Sequence, residues 1–222
     1  MLKKAGLVAA TLFLLTTLGL SQNQGHFDAS FNTALIFTRS TEGNGVQQSA
    51  TIGANYFGTF RFRFKSKSKN SFIFNYGRAK NSQIYQTDFD YHQQASIVEY
   101  SGGYVRNFFE KGKFQPFFLI GGGALAFSPT STWVFFPDLP NNIPNHIQIN
   151  VNAVKQTEPA LLYGGGVDYK LPWRFALRLQ YRGLYYTNPN FKVNTLNGSA
   201  ISFVSGYRGH MAEPSIGLVF RF

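Results

Sequence analysis

The sequence predicts an all-β chain, an up-and-down antiparallel transmembrane β-barrel of about eight strands. Three observations predict it. Strand-length segments alternate apolar and polar side chains with period two. No uncharged apolar stretch after residue 21 is long enough for a transmembrane helix. The chain also opens like an exported protein. A membrane protein with these properties has to be a barrel, because only helices and closed barrels satisfy every backbone polar group in lipid.

The start of the chain sets the compartment. Lys3 and Lys4 precede residues 5–20, which are apolar or small and carry no charge. Gly19, Leu20 and Ser21 then offer small residues where a signal peptidase reads. This order of basic, apolar and small residues is that of a secretory signal. The apolar run falls short of the roughly 20 residues that span a bilayer. Residues 1–21 are therefore expected to be a cleaved signal peptide, and 22–222 the mature barrel of a bacterial outer membrane. Loss of Lys3 and Lys4 lowers the formal charge from +11 to +9.

Composition narrows the chemistry. The 222 residues include no Cys, which excludes disulfides, Cys-based metal sites, a Cys nucleophile and a lipidated Cys anchor. Phe (24), Tyr (12) and Gly (22) are abundant while charged residues make up 14%, a balance that suits strands and tight turns. The basic charge fits a protein among anionic lipids and lipopolysaccharide. No nucleic-acid motif is present, so no nucleic-acid partner is expected. Neither a cofactor motif nor metal-ligand spacing occurs.

The strand-like segments cover residues 27–38, 50–65, 71–83, 93–106, 114–127, 159–170, 174–187 and 211–222. Several exceed the roughly 9–11 residues that a tilted transmembrane strand needs. In the second, Phe60, Phe62 and Phe64 oppose Arg61, Arg63 and Lys65. In the third, Phe72, Phe74 and Tyr76 oppose Ser71, Asn75 and Gly77. In the seventh, Phe175, Leu177, Leu179 and Tyr181 oppose Arg174, Arg178, Gln180 and Arg182. In the last, Pro214, Ile216, Leu218, Phe220 and Phe222 oppose Glu213, Ser215, Gly217, Val219 and Arg221. Connections alternate in length: 66–70, 107–113 and 171–173 are short, while 39–49, 84–92, 128–158 and 188–210 are longer. Short periplasmic turns and long extracellular loops give this alternation in outer-membrane barrels. Tyr169 and Trp173 beside a short turn, and Tyr185 and Tyr186 before a long loop, suit membrane interfaces.

If the aromatic face meets lipid, the polar face fills the lumen. Asp28, Ser30, Asn32, Arg61, Arg63, Glu99, Asp168, Arg178, Gln180, Arg182, Glu213 and Arg221 then point inward. An eight-stranded barrel is just wide enough for its own side chains, and charges packed there must pair. The expectation is an ion-pair network of Asp28, Arg61, Arg63, Glu99, Asp168, Arg178, Arg182, Glu213 and Arg221 that plugs the barrel. A narrow, slightly anion-selective pore is the alternative. Arg78 and Lys80 continue the outward series of the third strand and are candidates for contact with lipopolysaccharide phosphates, or for snorkelling to the interface. Lys65, Lys67 and Lys69 cluster at the first short turn, facing headgroups or solvent. The loop from Ser128 to Glu158 holds Trp133, Phe135, Phe136, Pro137, Pro140, Pro144 and Ile147, and is expected to be an ordered hairpin. Catalytic candidates are sparse: His26 precedes the first strand, His146 lies in the long loop, His92 stands near Asp88 and Asp90, and His210 near Ser205. No enzyme is expected; a lipid-modifying barrel enzyme or a soluble lipocalin-like barrel are lesser alternatives.

The C-terminal run from Ser215 to Phe222 resembles the β-signal of outer-membrane proteins, with Ser215, Gly217, Phe220 and Phe222 in its polar, Gly and aromatic places. The resemblance implies that the barrel-assembly machinery reads this strand and that it pairs with the first. Phe117–Phe127 with Gly121, Gly122 and Gly123, and Tyr163–Tyr169 with Gly164, Gly165 and Gly166, look like a Gly-rich strand pair. In pattern the mature chain resembles the small eight-stranded outer-membrane family of the OmpA transmembrane domain, OmpX and the opacity proteins. That likeness implies a non-enzymatic barrel with a structural, surface-interaction or adhesion role.

Overall fold

The computed structural model describes residues 26–43, 46–64, 68–86, 90–109, 112–135, 146–149, 154–189, 191, 193–194, 200–201 and 208–222. Eight long strands form the body: β1 Phe27–Thr38, β2 Gly53–Arg63, β3 Asn70–Gln86, β4 Asp90–Asn107, β5 Phe114–Phe135, β6 Gln156–Lys170, β7 Phe175–Thr187 and β8 Arg208–Arg221. Each is antiparallel to the next along the chain, and β8 returns to β1 from Asp28↔Arg221 to Thr38↔Met211. The sheet is thereby closed into an up-and-down barrel, and no edge is left along its body. Expectations placed on residues 1–21, Lys65, Lys67, Asp88, Phe136, Pro137, Pro140, Pro144 and Ser205 lie outside the described residues.

Burial follows the pleat. Along β2 every second residue is buried and every other exposed over all 11 positions. The exposed side is apolar: Phe31 is 64%, Phe74 53%, Leu179 55% and Leu218 50% accessible. Large apolar groups so exposed on every side need a nonaqueous surrounding. Near the end that carries the short turns they form a girdle. Phe27 packs on Phe60 and Phe62, Phe64 on Phe72, Phe72 on Tyr104, Tyr104 on Phe118, Phe114 on Tyr169 and Phe175 on Phe220. Trp173, in the turn after Pro172, is 94% exposed at this end, with a φ of 70°. Tyr186 does not join the interface rings: it faces the lumen and is 2% exposed, because it falls on the even, inward register of β7.

Three connections differ from the sequence expectation. Residues 84–92 do not form a long loop. β3 and β4 stay paired up to Gln86↔Asp90, with only 87–89 between them, so the alternation of short and long connections breaks here. Gln83, Tyr85, Tyr91 and Gln93 keep the period of two and are buried on one face, but the outward Gln86 and His92 are polar, and the stretch reads as loop. β5 likewise runs past residue 127 to Phe135, passing Pro129 where the register to β4 shifts at Gln94/Ala95. A bulge is where a strand accommodates a residue with no N–H to donate. The stem of a hairpin follows, with Thr132–Phe135 paired to His146–Ile149. The expected long connection 39–49 also holds strands: Val46–Ala50, which takes in the first residue of the expected second strand, pairs with Gln83–Gln86 of β3 and forms a small hairpin with Thr41–Gly43. These pieces raise one side of the barrel wall beyond the band of exposed apolar residues.

The Gly runs answer to curvature. A Cβ at Gly121 would overlap the Gly102 carbonyl oxygen, and one at Gly164 the Tyr181 carbonyl oxygen. Both positions point inward, where tight closure brings the neighbouring backbone close. Gly121→Ala is expected to cost about 3 kcal/mol or more in urea unfolding of the refolded barrel. Gly58→Ala, on the outer wall, where the nearest atom lies 3.9 Å away, should stay within about 0.5 kcal/mol.

Candidate functional site in the barrel lumen

The alternation that turns Phe and Leu outward leaves Arg, Asp, Glu, Asn and Ser inside. β1, β2, β6, β7 and β8 bring five arginines and three of the four carboxylates together, and β4 supplies the fourth, Glu99. They fall into two groups stacked along the barrel axis.

The group nearer the short turns is centred on Asp168. Arg178 holds it in a two-point grip, with Nε 2.7 Å from Oδ1 and Nη2 3.0 Å from Oδ2. Arg61 Nη1 donates to Asp168 Oδ2 at 3.4 Å, and Arg221 Nη2 lies 3.6 Å away. Asp28 pairs with Arg63, and also stands 3.8 Å from both Arg61 and Arg178. Arg178 Nη1 donates to Ser30 Oγ at 3.2 Å. Phe117 gives both Arg61 and Arg178 an aromatic face, at 4.8 and 5.3 Å from its centroid. Four guanidinium groups thus surround two aspartates.

The second group is built on Arg182. Its Nη1 and Nη2 donate to Glu99 at 3.1 and 2.8 Å, and its Nε donates to Glu213 Oε2 at 3.1 Å. The guanidinium lies 3.7 Å over the Phe57 ring. Asn55 Nδ2 donates to Glu213 at 3.0 Å, and Ser101 Oγ donates to Glu99 at 2.5 Å. Thr59, Asn75 and Ser101 continue the chain of bonds across β2, β3 and β4, at 2.7 and 3.0 Å. Here two glutamates share one arginine. Arg61, Arg178 and Arg182 are each 1% exposed or less, so planar forks and carboxylates fill the cross-section with their donors turned onto one another. A cavity of about 10 Å³ beside Glu99 and Glu213 has room for about one water.

Above the ionic groups the lumen changes character, and the expectation of a polar interior throughout is corrected. Ile36, Ala79, Ile97, Leu125, Phe127, Leu162, Leu184, Tyr186 and Met211 all face inward and are buried. Phe191, between β7 and β8, is 1% exposed and packs against Phe127. Tyr85 donates its hydroxyl to the Pro189 carbonyl at 3.0 Å. The sequence carries this signal: Leu125, Phe127, Leu162, Leu184 and Tyr186 stand on the same parity as the polar inward positions of their strands. Runs that are apolar on both parities hide it.

Of the other candidates, Arg78 and Lys80 stand exposed and outward on β3. Ser215 and Gly217 face inward on β8 while Phe220 lies outward against Phe175 and Phe222. His26 Nδ1 is 3.4 Å from the Arg63 carbonyl. His92 sits on the outward side of β4 opposite Ile84. His210 is bonded to the Tyr163 hydroxyl at 2.6 Å and stacked on its ring. Among the described residues no three His, Asp or Glu gather as a metal site.

No protein-family model matches the sequence, and no curated protein matches it. Among solved structures the chain is similar to the outer membrane protein OprG from Pseudomonas aeruginosa. That likeness has 10% identity over 90% of this chain and 96% of that one, with a TM-score of 0.60. It is also similar to Neisserial surface protein A, at 15% identity over 90% of this chain and all (100%) of that one, with a TM-score of 0.49. For Ail, the attachment invasion locus protein of Yersinia pestis, the identity is 11% over 90% of this chain and 99% of that one, with a TM-score of 0.45. At such identities it is the fold that is shared. A closed eight-stranded up-and-down sheet with an apolar outer face, and OprG as a fold relative, gives this chain the fold of the small outer-membrane β-barrels.

Proposed function

We propose that this protein is a closed, non-conducting and non-enzymatic barrel with a surface-interaction or adhesion role. Its lumen is plugged by the two ionic groups, and its working surface is the raised wall of β3, β4 and β5. The observation that carries the reading is the burial of Arg61, Arg178 and Arg182, each 1% exposed or less, between carboxylates and the Phe57 and Phe117 rings. A pore through this lumen would have to pull Arg182 off two glutamates and then displace the apolar layer above. The extension of β3 and β4 to Gln86 and Asp90, flanked by Val46–Ala50 and His146–Ile149, supports a rigid platform outside the membrane. Arg78 and Lys80 contact outer-leaflet phosphates in this reading. Ser215, Gly217, Phe220 and Phe222 serve the assembly machinery after the leader is removed at Ser21.

Planar-bilayer recording of the refolded protein is expected to show no steady conductance above baseline; a reproducible open level would overturn the plugged reading. Replacing Arg182 with Met leaves Glu99 and Glu213 facing each other in a buried site. This should cost about 3–5 kcal/mol in urea unfolding at neutral pH. Adding Glu99→Gln and Glu213→Gln to Arg182→Met should recover most of that loss, since the buried charge is removed with its partner.

A further inference from the structure

β6 and β7 part at the loop end of the wall. They pair from Ala176↔Lys170 up to Tyr186↔Ala160. Beyond that point β6 stays with β5, to Phe127↔Gln156, while β7 stays with β8, to Thr187↔Arg208. The notch between them is a groove of about 390 Å³ lined by Pro159, Ala160, Leu161, Tyr185, Tyr186, Thr187 and Arg208. That volume lies in the range of small-molecule sites. Leu161, at 52%, and Tyr185, at 40%, are exposed on the outer wall. Ala160 and Tyr186 belong to the inward register, so the groove cuts into the thickness of the sheet. The buried Tyr186 hydroxyl has no hydrogen-bond partner. Among the described residues the lining holds one cation and no carboxylate.

Depth identifies the occupant. From Phe175, in the aromatic girdle, to Thr187, beside the groove, β7 spans its full 13 residues. At about 3.3 Å per residue and a tilt of about 40°, that rise is roughly 30 Å, against an apolar band of about 25 Å. The groove therefore opens at the outer boundary of the membrane, its lower part against acyl chains and Arg208 at headgroup height. Arg208 lies 5.7 Å over the Tyr185 ring, which holds the guanidinium above the apolar floor. An apolar slot with a single guanidinium at its upper end is complementary to an acyl chain joined to a phosphate.

We propose that this notch binds the phosphorylated, acylated lipid of the outer leaflet, the lipid A part of lipopolysaccharide. One acyl chain lies along Pro159, Leu161 and Tyr185, and a phosphate sits on Arg208. The site is independent of Arg78 and Lys80, because β3 stands four strands from β7 around the ring. It is equally independent of whether the lumen conducts.

The test is native mass spectrometry of the full mature protein refolded in detergent with lipid A, with phosphate-free lipid A or with phosphatidylglycerol. Each sample is first shown to be folded by its mobility before and after boiling. Lipid A is expected to remain on the wild type, and about tenfold less on Arg208→Gln, for the loss of one charge-assisted contact. Leu161→Trp, which fills the slot without touching the charge, should lose it as well, while Gly58→Ala, on the outer wall three strands away, should keep it. Equal retention by wild type and Arg208→Gln would overturn the site. So would equal retention of the phosphate-free lipid, preference for phosphatidylglycerol, or equal loss from the Gly58 variant.

Discussion

The structure depends on Arg182 and Arg178 each finding carboxylates inside a barrel with almost no room for water. Eight strands enclose a space that side chains alone must fill. Sequence alternation then forces whatever opposes the lipid-facing residues into that space. Because the lipid face takes the Phe, Leu and Ile, polar groups go inward, and a buried guanidinium without a partner is among the costliest things a fold can contain. The chain meets this with carboxylates on separate strands. Asp168 joins β6 to β7 and β2, Glu213 joins β8 to β7, and Glu99 reaches Arg182 from β4. Arg61–Asp168 and Arg182–Glu99 tie together strands distant in sequence, so the charges that alternation imposes also hold the closed sheet.

Charge balance within the lumen is uneven, and the unevenness is ordered. Four arginines face two aspartates nearer the short turns, and two glutamates face one arginine above them. Neither group is neutral, but their excesses are opposite in sign and stacked along the axis. At the short distances and low dielectric of the interior, such an arrangement attracts along the barrel as well as within each layer. Phe57 and Phe117 sit against the guanidinium faces, so the planar cations are sandwiched rather than left beside voids. Backbone proximity at Gly121 and Gly164 belongs to the same constraint, since a lumen packed this tightly requires a wall that curves sharply.

Much of this was legible in the sequence, and the reason is the period of two. Phe60, Phe62 and Phe64 against Arg61 and Arg63 state both faces of β2 without knowledge of any contact. The strand count and the inward parity of Asp28, Glu99, Asp168 and Glu213 follow in the same way. Which carboxylate meets which arginine was not legible, because that depends on stagger between strands far apart in sequence. The apolar outer lumen was missed because Leu125, Phe127 and Leu184 lie among residues apolar on both parities. The length of β3 and β4 was missed for the opposite reason. Outside lipid, the outward residues need not be apolar, so Gln86 and His92 read as loop while Tyr85 and Tyr91 pack inside.

The two ends of the barrel are consequently different materials. Toward the short turns an ionic interior lies behind a girdle of Phe, and every strand is paired on both sides. Toward the loops no ion pair holds the described interior: apolar burial and neutral hydrogen bonds among Gln48, Gln83, Gln93 and Thr132 do, with Phe191 inserted from outside the strands and Tyr85 tied to the Pro189 carbonyl. Apolar packing tolerates shifts of side chains that a two-point guanidinium–carboxylate grip does not. Strand pairing follows the same division: β6 and β7 run together through the ionic region, where Arg178 faces Asp168 across the pair, and separate only beyond Ala160 and Tyr186. The wall is thus rigid where the charges hold it. It opens where the interior no longer needs to be locked, which puts the groove at the membrane's outer boundary rather than in its middle.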